Sequence, residues 1–173
     1  EGQAGPTTAV AALVLVIGTF AAATMHRNQE YLSPLVLAET SYERWPTPVA
    51  HHMVATELSL VGREDEALRG LRESVKGYPR GHYDLGITLF RKKEYAEAIR
   101  SFDAFVSQYP LLLEVVEARA LTGRAHFALQ QWPEAIAAFE DALRKQPSRV
   151  DIHGALADTL VKAAQNALLK TLE

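Results

Sequence analysis

The chain has 173 residues, 48% of them hydrophobic and 23% charged, with a net charge of −3 and no cysteine. This balance suits a chain that folds around a core, and it offers no basic field to hold nucleic acid. The missing cysteines exclude disulfides, thiolate metal sites and a cysteine nucleophile.

The first element is apolar. From Gly2 to Met25 no residue carries a charge, and Thr7–Met25 reads TTAVAALVLVIGTFAAATM. A helix of about 20 residues spans roughly 30 Å, the hydrocarbon thickness of a bilayer. A core helix would show a polar stripe, and a signal peptide would carry a basic start and a shorter apolar run. Residues 1–27 therefore read as a membrane anchor, with a single span over about 7–25 in contact with lipid. Gly18 and Ala22 lie four apart on one face, where small side chains let a second membrane helix approach closely.

A polar collar, His26 to Glu30, follows. In residues 28–47 the stretch YLSPLVLAETSYERWP predicts a capping helix, with Ser33 as its N-cap, Pro34 in the first turn, and Pro46 and Pro48 stopping it. Beyond it apolar residues recur three and four apart, the helical period, so the fold class is all-α.

Three stretches then align without gaps: REDEALRGLRESVKGYP (Arg63–Pro79), EYAEAIRSFDAFVSQYP (Glu94–Pro110) and QWPEAIAAFEDALRKQP (Gln131–Pro147). Each has a small residue 24 positions before its last proline, namely Ala55, Gly86 and Gly123, whereas the linkers between units vary from 7 to 13 residues. A fixed unit joined by variable turns predicts stacked helical hairpins.

These residues resemble the tetratricopeptide repeat (TPR), a helix–turn–helix unit. Its first small position is matched by Ala55, Gly86 and Gly123, and its second by Ala67, Ala98 and Ala135. Its large apolar position is matched by Leu71, Phe102 and Phe139, and its closing proline by Pro79, Pro110 and Pro147. The resemblance implies a right-handed superhelix of about three hairpins over 48–149 (48–79, 80–110 and 114–147), with a C-terminal capping helix over 150–173. Two departures stand out. Phe105 occupies a position where the family is small, so it must push the second and third hairpins apart or swing outward. The tryptophan usual near the start of the first helix is replaced by His51, His82 and Arg119.

Such a stack is a binding surface. By register, the concave face takes Val49, His52, Met53, Thr56 and Leu60 from the first unit and Tyr83, Ile87, Phe90 and Arg91 from the second. The third unit contributes Leu121, Arg124, Phe127 and Ala128. The mixture suits an extended peptide or a helix from a protein partner. Phe90 and Phe127 have the alternative of serving as core. Chaperone-binding TPRs carry a Lys/Asn clamp, but His52 and Thr56 stand at the corresponding positions, which disfavours that ligand. In the longest linker, Leu111, Leu112 and Leu113 are either buried at a repeat junction or a contact patch.

Catalytic motifs are lacking. The six histidines have no zinc-helix spacing with a glutamate, and no phosphate-binding glycine loop or nucleophile elbow occurs. The reading is of a non-enzyme without metal or cofactor. The junction HRNQEYLSPLVLAETSYERWP followed by repeats also resembles the C-terminal part of bacterial transmembrane-and-TPR O-mannosyltransferase-like proteins. That resemblance implies repeats on the extracytoplasmic (periplasmic) side, whereas Arg27 after the span weakly favours the cytoplasm. The first functional reading is a membrane-anchored scaffold, an accessory or assembly subunit of a larger respiratory, photosynthetic or secretory membrane complex. The second is the recognition module of a polytopic membrane glycosyltransferase. The lack of catalytic apparatus favours the first.

Overall fold

The computed structural model describes residues 6–172, and every regular element among them is helical. In chain order these are α1 (Pro6–Glu30), α2 (Pro34–Arg44), α3 (Pro48–Leu60), α4 (Glu64–Ser74), a 3₁₀ turn (Pro79–Gly81), α5 (His82–Arg91), α6 (Tyr95–Gln108), α7 (Glu114–Ala128), α8 (Trp132–Lys145) and α9 (Val150–Leu172). α3/α4, α5/α6 and α7/α8 are the three hairpins, stacked side by side in a TPR superhelix. α2 lies against α3 in front, and α9 lies against α8 behind.

Each helix starts where its sequence allows. Pro34 and Pro48 open α2 and α3, where a missing N–H costs nothing. Thr47 caps α3, its Oγ1 accepting from the Ala50 N–H at 3.1 Å. Ser33 has extended backbone at the cap of α2, but its side chain makes no cap bond, so only its backbone fulfils the expected role.

The three hairpins turn identically. Gly62, Lys93 and Gln130 adopt left-handed backbone, with φ of +81°, +63° and +57°. The following N–H reaches back across the turn in every case: Arg63 to the Leu58 carbonyl, Glu94 to Leu89 and Gln131 to His126, each at 2.9 Å. This is the Schellman closure, which satisfies carbonyls that the helix end leaves free. Only the first turn uses glycine. Lys93 and Gln130 accept a conformation that costs a residue with a Cβ about 1–2 kcal/mol.

Inside the hairpins, small and large residues interlock. A Cβ added to Gly86 would lie 2.5 Å from the Phe102 ring, and one added to Gly123 would lie 2.7 Å from the Phe139 ring. The bare backbone of the first helix is the floor on which the aromatic of the second sits. The first hairpin solves the same problem with other sizes. Ala55 replaces the glycine and Leu71 the phenylalanine. The gap moves across to Gly70 on α4, where an added Cβ would meet that of Ala55 at 2.9 Å. Leu71, Phe102, Phe139, Ala67, Ala98 and Ala135 are all buried.

Of the two outcomes foreseen for Phe105, outward rotation does not occur. Its ring is buried and tilted against Tyr83 and Tyr109, with centroids 5.1 and 5.7 Å away. It belongs to a core that runs from α3 through α6 to Val115 and Ala118 of α7. Val116, one residue on, belongs to a second core with Ala120, Phe139 and Ile152. α7 is thus a wall with apolar packing on both sides.

Ion pairs tie neighbouring hairpins on the outside. Arg72 Nη2 donates to Glu97 at 2.9 Å, Arg80 Nη2 to Glu114 at 2.8 Å, and Lys92 pairs with Asp65. Arg119, standing where the repeat usually has tryptophan, reaches Asp103 at 2.7 Å and Asp141 at 2.9 Å. An apolar wedge is replaced there by an ionic bridge between α6, α7 and α8. Such exposed pairs contribute little individually. They fix register between units that the cores already hold.

α1 stands apart. The run Val10–Asn28 is long and apolar enough to cross a membrane, and the rest of the described chain covers none of it. It sits three residues later at each end than the expected span. Gly18 faces open space and Ala22 is exposed, so the small-residue face meets nothing within the described residues.

A candidate interaction surface on the first helices

The first helices of the hairpins, α3, α5 and α7, share one side with α9. Between α3 and α5 lies a trough of about 300 Å³, lined by Thr56, Ser59, Leu60, Asp84, Ile87 and Arg91 among others. Between α7 and α9 lies a smaller one of about 190 Å³, lined by Arg124, Phe127, Phe139, Ala155 and Asp158. Tyr83 and Leu121, between them, pack partly buried against the first core.

The predicted concave residues therefore fall into two groups. Thr56, Leu60, Ile87 and Arg91 line the first trough, and Arg124 and Phe127 the second. Val49 and Met53 continue the α3 stripe, about half exposed, and Leu60 ends it at 76% exposure. Tyr83, Ile87, Phe90 and Leu121 also carry weight as core, and Ala128 sits at the exposed end of α7.

The two phenylalanines open to either role are clamped from behind. Phe90 packs edge-on against Tyr95 at 5.4 Å, and Phe127 edge-on against Trp132 at 5.3 Å. Tyr95 and Trp132 each begin the second helix of their hairpin, so each pair closes a hairpin at its turn. The first hairpin has Ser59 and Glu64 at these places. Arg91, from the next hairpin, replaces the missing aromatic contact: its Nε lies 3.3 Å from Glu64 and its Nη2 donates to Ser59. That latch was not foreseen, because no spacing rule within one repeat links Arg91 to Ser59.

Electrostatics along the face are mostly settled internally. His52 Nε2 donates to the Asp84 carboxylate at 2.7 Å, and its ring tilts against Tyr78. His52 is thus engaged between repeats, and Thr56 donates to the Met53 carbonyl of its own helix. At the far end Arg149 bridges Asp151 and Glu117, which pulls the Asp151 carboxyl down to about 2. His82, at the start of α5, has a buried Nδ1 without a partner among the described residues. Burial pushes its pKa below the ordinary value, leaving it neutral at pH 7.

The leucine linker divides. Leu111 and Leu113 are 94% and 90% exposed, while Leu112 packs partly buried against the first core. Only the outer two face solvent together. Among the described residues no cluster of histidine and carboxylate groups could hold a metal.

Tetratricopeptide-repeat family models match residues 61–112 and 116–159, together more than half of the chain. Among solved structures, MamA (residues 41 to the end) from Desulfovibrio magneticus RS-1 superposes with a TM-score of 0.68 at 20% identity, covering 89% of this chain and 92% of that one. MamA AMB-1 gives 0.67 at 20% identity, over 75% and 72%. The first TPR of Spaghetti (RPAP3), bound to the HSP90 peptide SRMEEVD, gives 0.62 at 20% identity, over 69% and 94%. At such identities the likeness is one of fold. No curated protein sequence matches the chain.

Proposed function

The chain carries tetratricopeptide repeats, and on that premise we propose that it is a membrane-anchored scaffold whose concave side holds protein partners. The observation that carries the reading is the α3 stripe. Val49, Met53 and Leu60 lie exposed along one helix face and lead into the trough shared with α5. Apolar side chains in a row beside an open furrow suit an extended segment or a helix of a partner, which would bury them. The polar groups of the furrow, Thr56, Asp84 and Arg91, would set its register.

The anchor places this surface at a membrane. α1 is uncovered over its apolar length and carries Arg27 in its last turn, which suits one span with its head group collar at His26–Glu30. The scaffold is an accessory or assembly subunit of a larger membrane complex; the resemblance of the junction to transmembrane-and-TPR proteins favours repeats on the extracytoplasmic side, against the single Arg27. Leu111 and Leu113 offer that complex a second contact, at the opposite end of the hairpins from the α3–α4 turn.

Met53→Asp combined with Leu60→Asp tests the trough. Both side chains are exposed, so thermal unfolding should move by no more than about 0.5 kcal/mol equivalent. The full chain isolated from membranes should lose a protein that the wild type retains. Retention of the same proteins would overturn the reading, as would a loss that accompanies unfolding.

A further inference from the structure

α9 has two apolar faces and uses one. Ile152 and Thr159 are buried toward α8, with Ala155, Leu156 and Ala163 partly covered beside them. The face pointing away from the stack reads Val150, Gly154, Ala157, Val161, Ala164 and Leu168. Val150, Val161 and Leu168 are 81%, 56% and 62% exposed, and a Cβ on Gly154 would meet nothing within 4 Å. Counting back one repeat, from Ala157 to Gly123, the same positions on α7 are Val116, Ala120, Gly123 and Phe127. On α7 this face is covered by α8, with Val116, Ala120 and Gly123 buried. α9 therefore carries the face that a first helix offers to its second helix, and among the described residues nothing lies on it.

We propose that a second copy of the chain covers this face, with the two α9 helices antiparallel about a two-fold axis. The spacing of the stripe is four, three, four, three, four, and so reads alike in both directions. An antiparallel copy sets Val150 opposite Leu168, Gly154 opposite Ala164 and Ala157 opposite Val161. Small residues then meet small or medium ones near the middle, letting the backbones approach, and larger ones close the two ends. The charges agree. In an antiparallel pair the same flank of each helix meets, and Asp158 and Lys162 sit on one flank. Each Asp158 faces the other copy's Lys162, giving two symmetric ion pairs, whereas in a parallel pair opposite flanks meet and neither charge faces its counterpart.

Asp158 also lines the trough between α7 and α9. The flank that meets across the axis is the concave one, so the two concave sides adjoin and form one surface of doubled length. The pairing stands whether or not the trough binds a partner, because the apolar stripe that carries it supplies none of the trough's lining.

Sedimentation of the full chain in detergent should show a protein dimer that dissociates on dilution. Val161→Arg, an exposed change, should return the mass to that of one copy while matching the wild type in thermal unfolding at dilutions where both are dissociated. The chain has no cysteine, so Gly154→Cys with Ala164→Cys gives a clean geometric readout. Oxidation should yield a covalent dimer from the double variant and none from either single variant. A wild type that stays monomeric overturns the proposal, as does a dimer that survives Val161→Arg, which would place the contact on α1 or elsewhere. A disulfide formed by Ala157→Cys alone would mean parallel pairing and overturns it equally.

Discussion

Phe102→Ala lowers the unfolding free energy by about 3–5 kcal/mol, the range for truncating a fully buried aromatic. The ring is wholly enclosed and is shared between the backbone at Gly86, the edge of Tyr83 and the first core. Phe139→Ala has a comparable effect in the second core, where its ring lies on Gly123. Because each hairpin is stabilised by its neighbours, both changes should loosen adjoining helices as well as their own. Hydrogen exchange reads this: Phe102→Ala should speed exchange in α3, α4 and α7, not in α5 and α6 alone. A loss below about 1 kcal/mol would mean that the ring is not packed in this way.

The second large effect concerns the partner of that ring. Gly86→Ala alone should cost about 1–3 kcal/mol, since the new methyl enters space held by a confined aromatic. Phe102→Leu alone should cost about 1–2 kcal/mol by leaving a cavity over the bare glycine. Together they reproduce the pair that the first hairpin already uses, Ala55 with Leu71. The double variant should therefore be more stable than the sum of the single changes implies, with a coupling of at least about 1 kcal/mol. Denaturant unfolding of the four chains measures it. Simple additivity would show that glycine and phenylalanine do not share one space.

Those pairs were legible in the sequence because hairpin packing fixes the spacing between them, and a fixed spacing leaves a repeat visible through divergence. The number of hairpins, their helical character and the two flanking helices followed from the same regularity. What escaped was held by single backbone conformations or by contacts between units. Lys93 and Gln130 turn the chain in left-handed geometry without the glycine that marks Gly62. Arg91 crosses to Ser59 and Glu64, a contact between repeats rather than within one. Phe105 breaks the small-residue rule, and its identity alone could not say whether the neighbours would make room; Tyr83 and Tyr109 do.

The interaction surface was read less completely for a related reason. Register places a residue on a helix face, yet burial depends on how closely the next helix approaches. Phe90 and Phe127 share the predicted face with Leu60, but Tyr95 and Trp132 pull them toward the hairpin turns. Of three consecutive leucines, Leu112 reaches the core while Leu111 and Leu113 remain in solvent. Ala157 matches the small position of the earlier units, but on α9 that position is exposed, because no second helix lies on it among the described residues.

A photo-reactive residue placed in the full chain within its membrane tests the central claim most directly, at Leu60 on the α3 stripe and at Glu140, exposed on α8. The account predicts a protein adduct at Leu60, abolished by Met53→Asp, and none at Glu140. An adduct at Glu140 with none at Leu60 would contradict it, and would assign partner binding to the second helices instead.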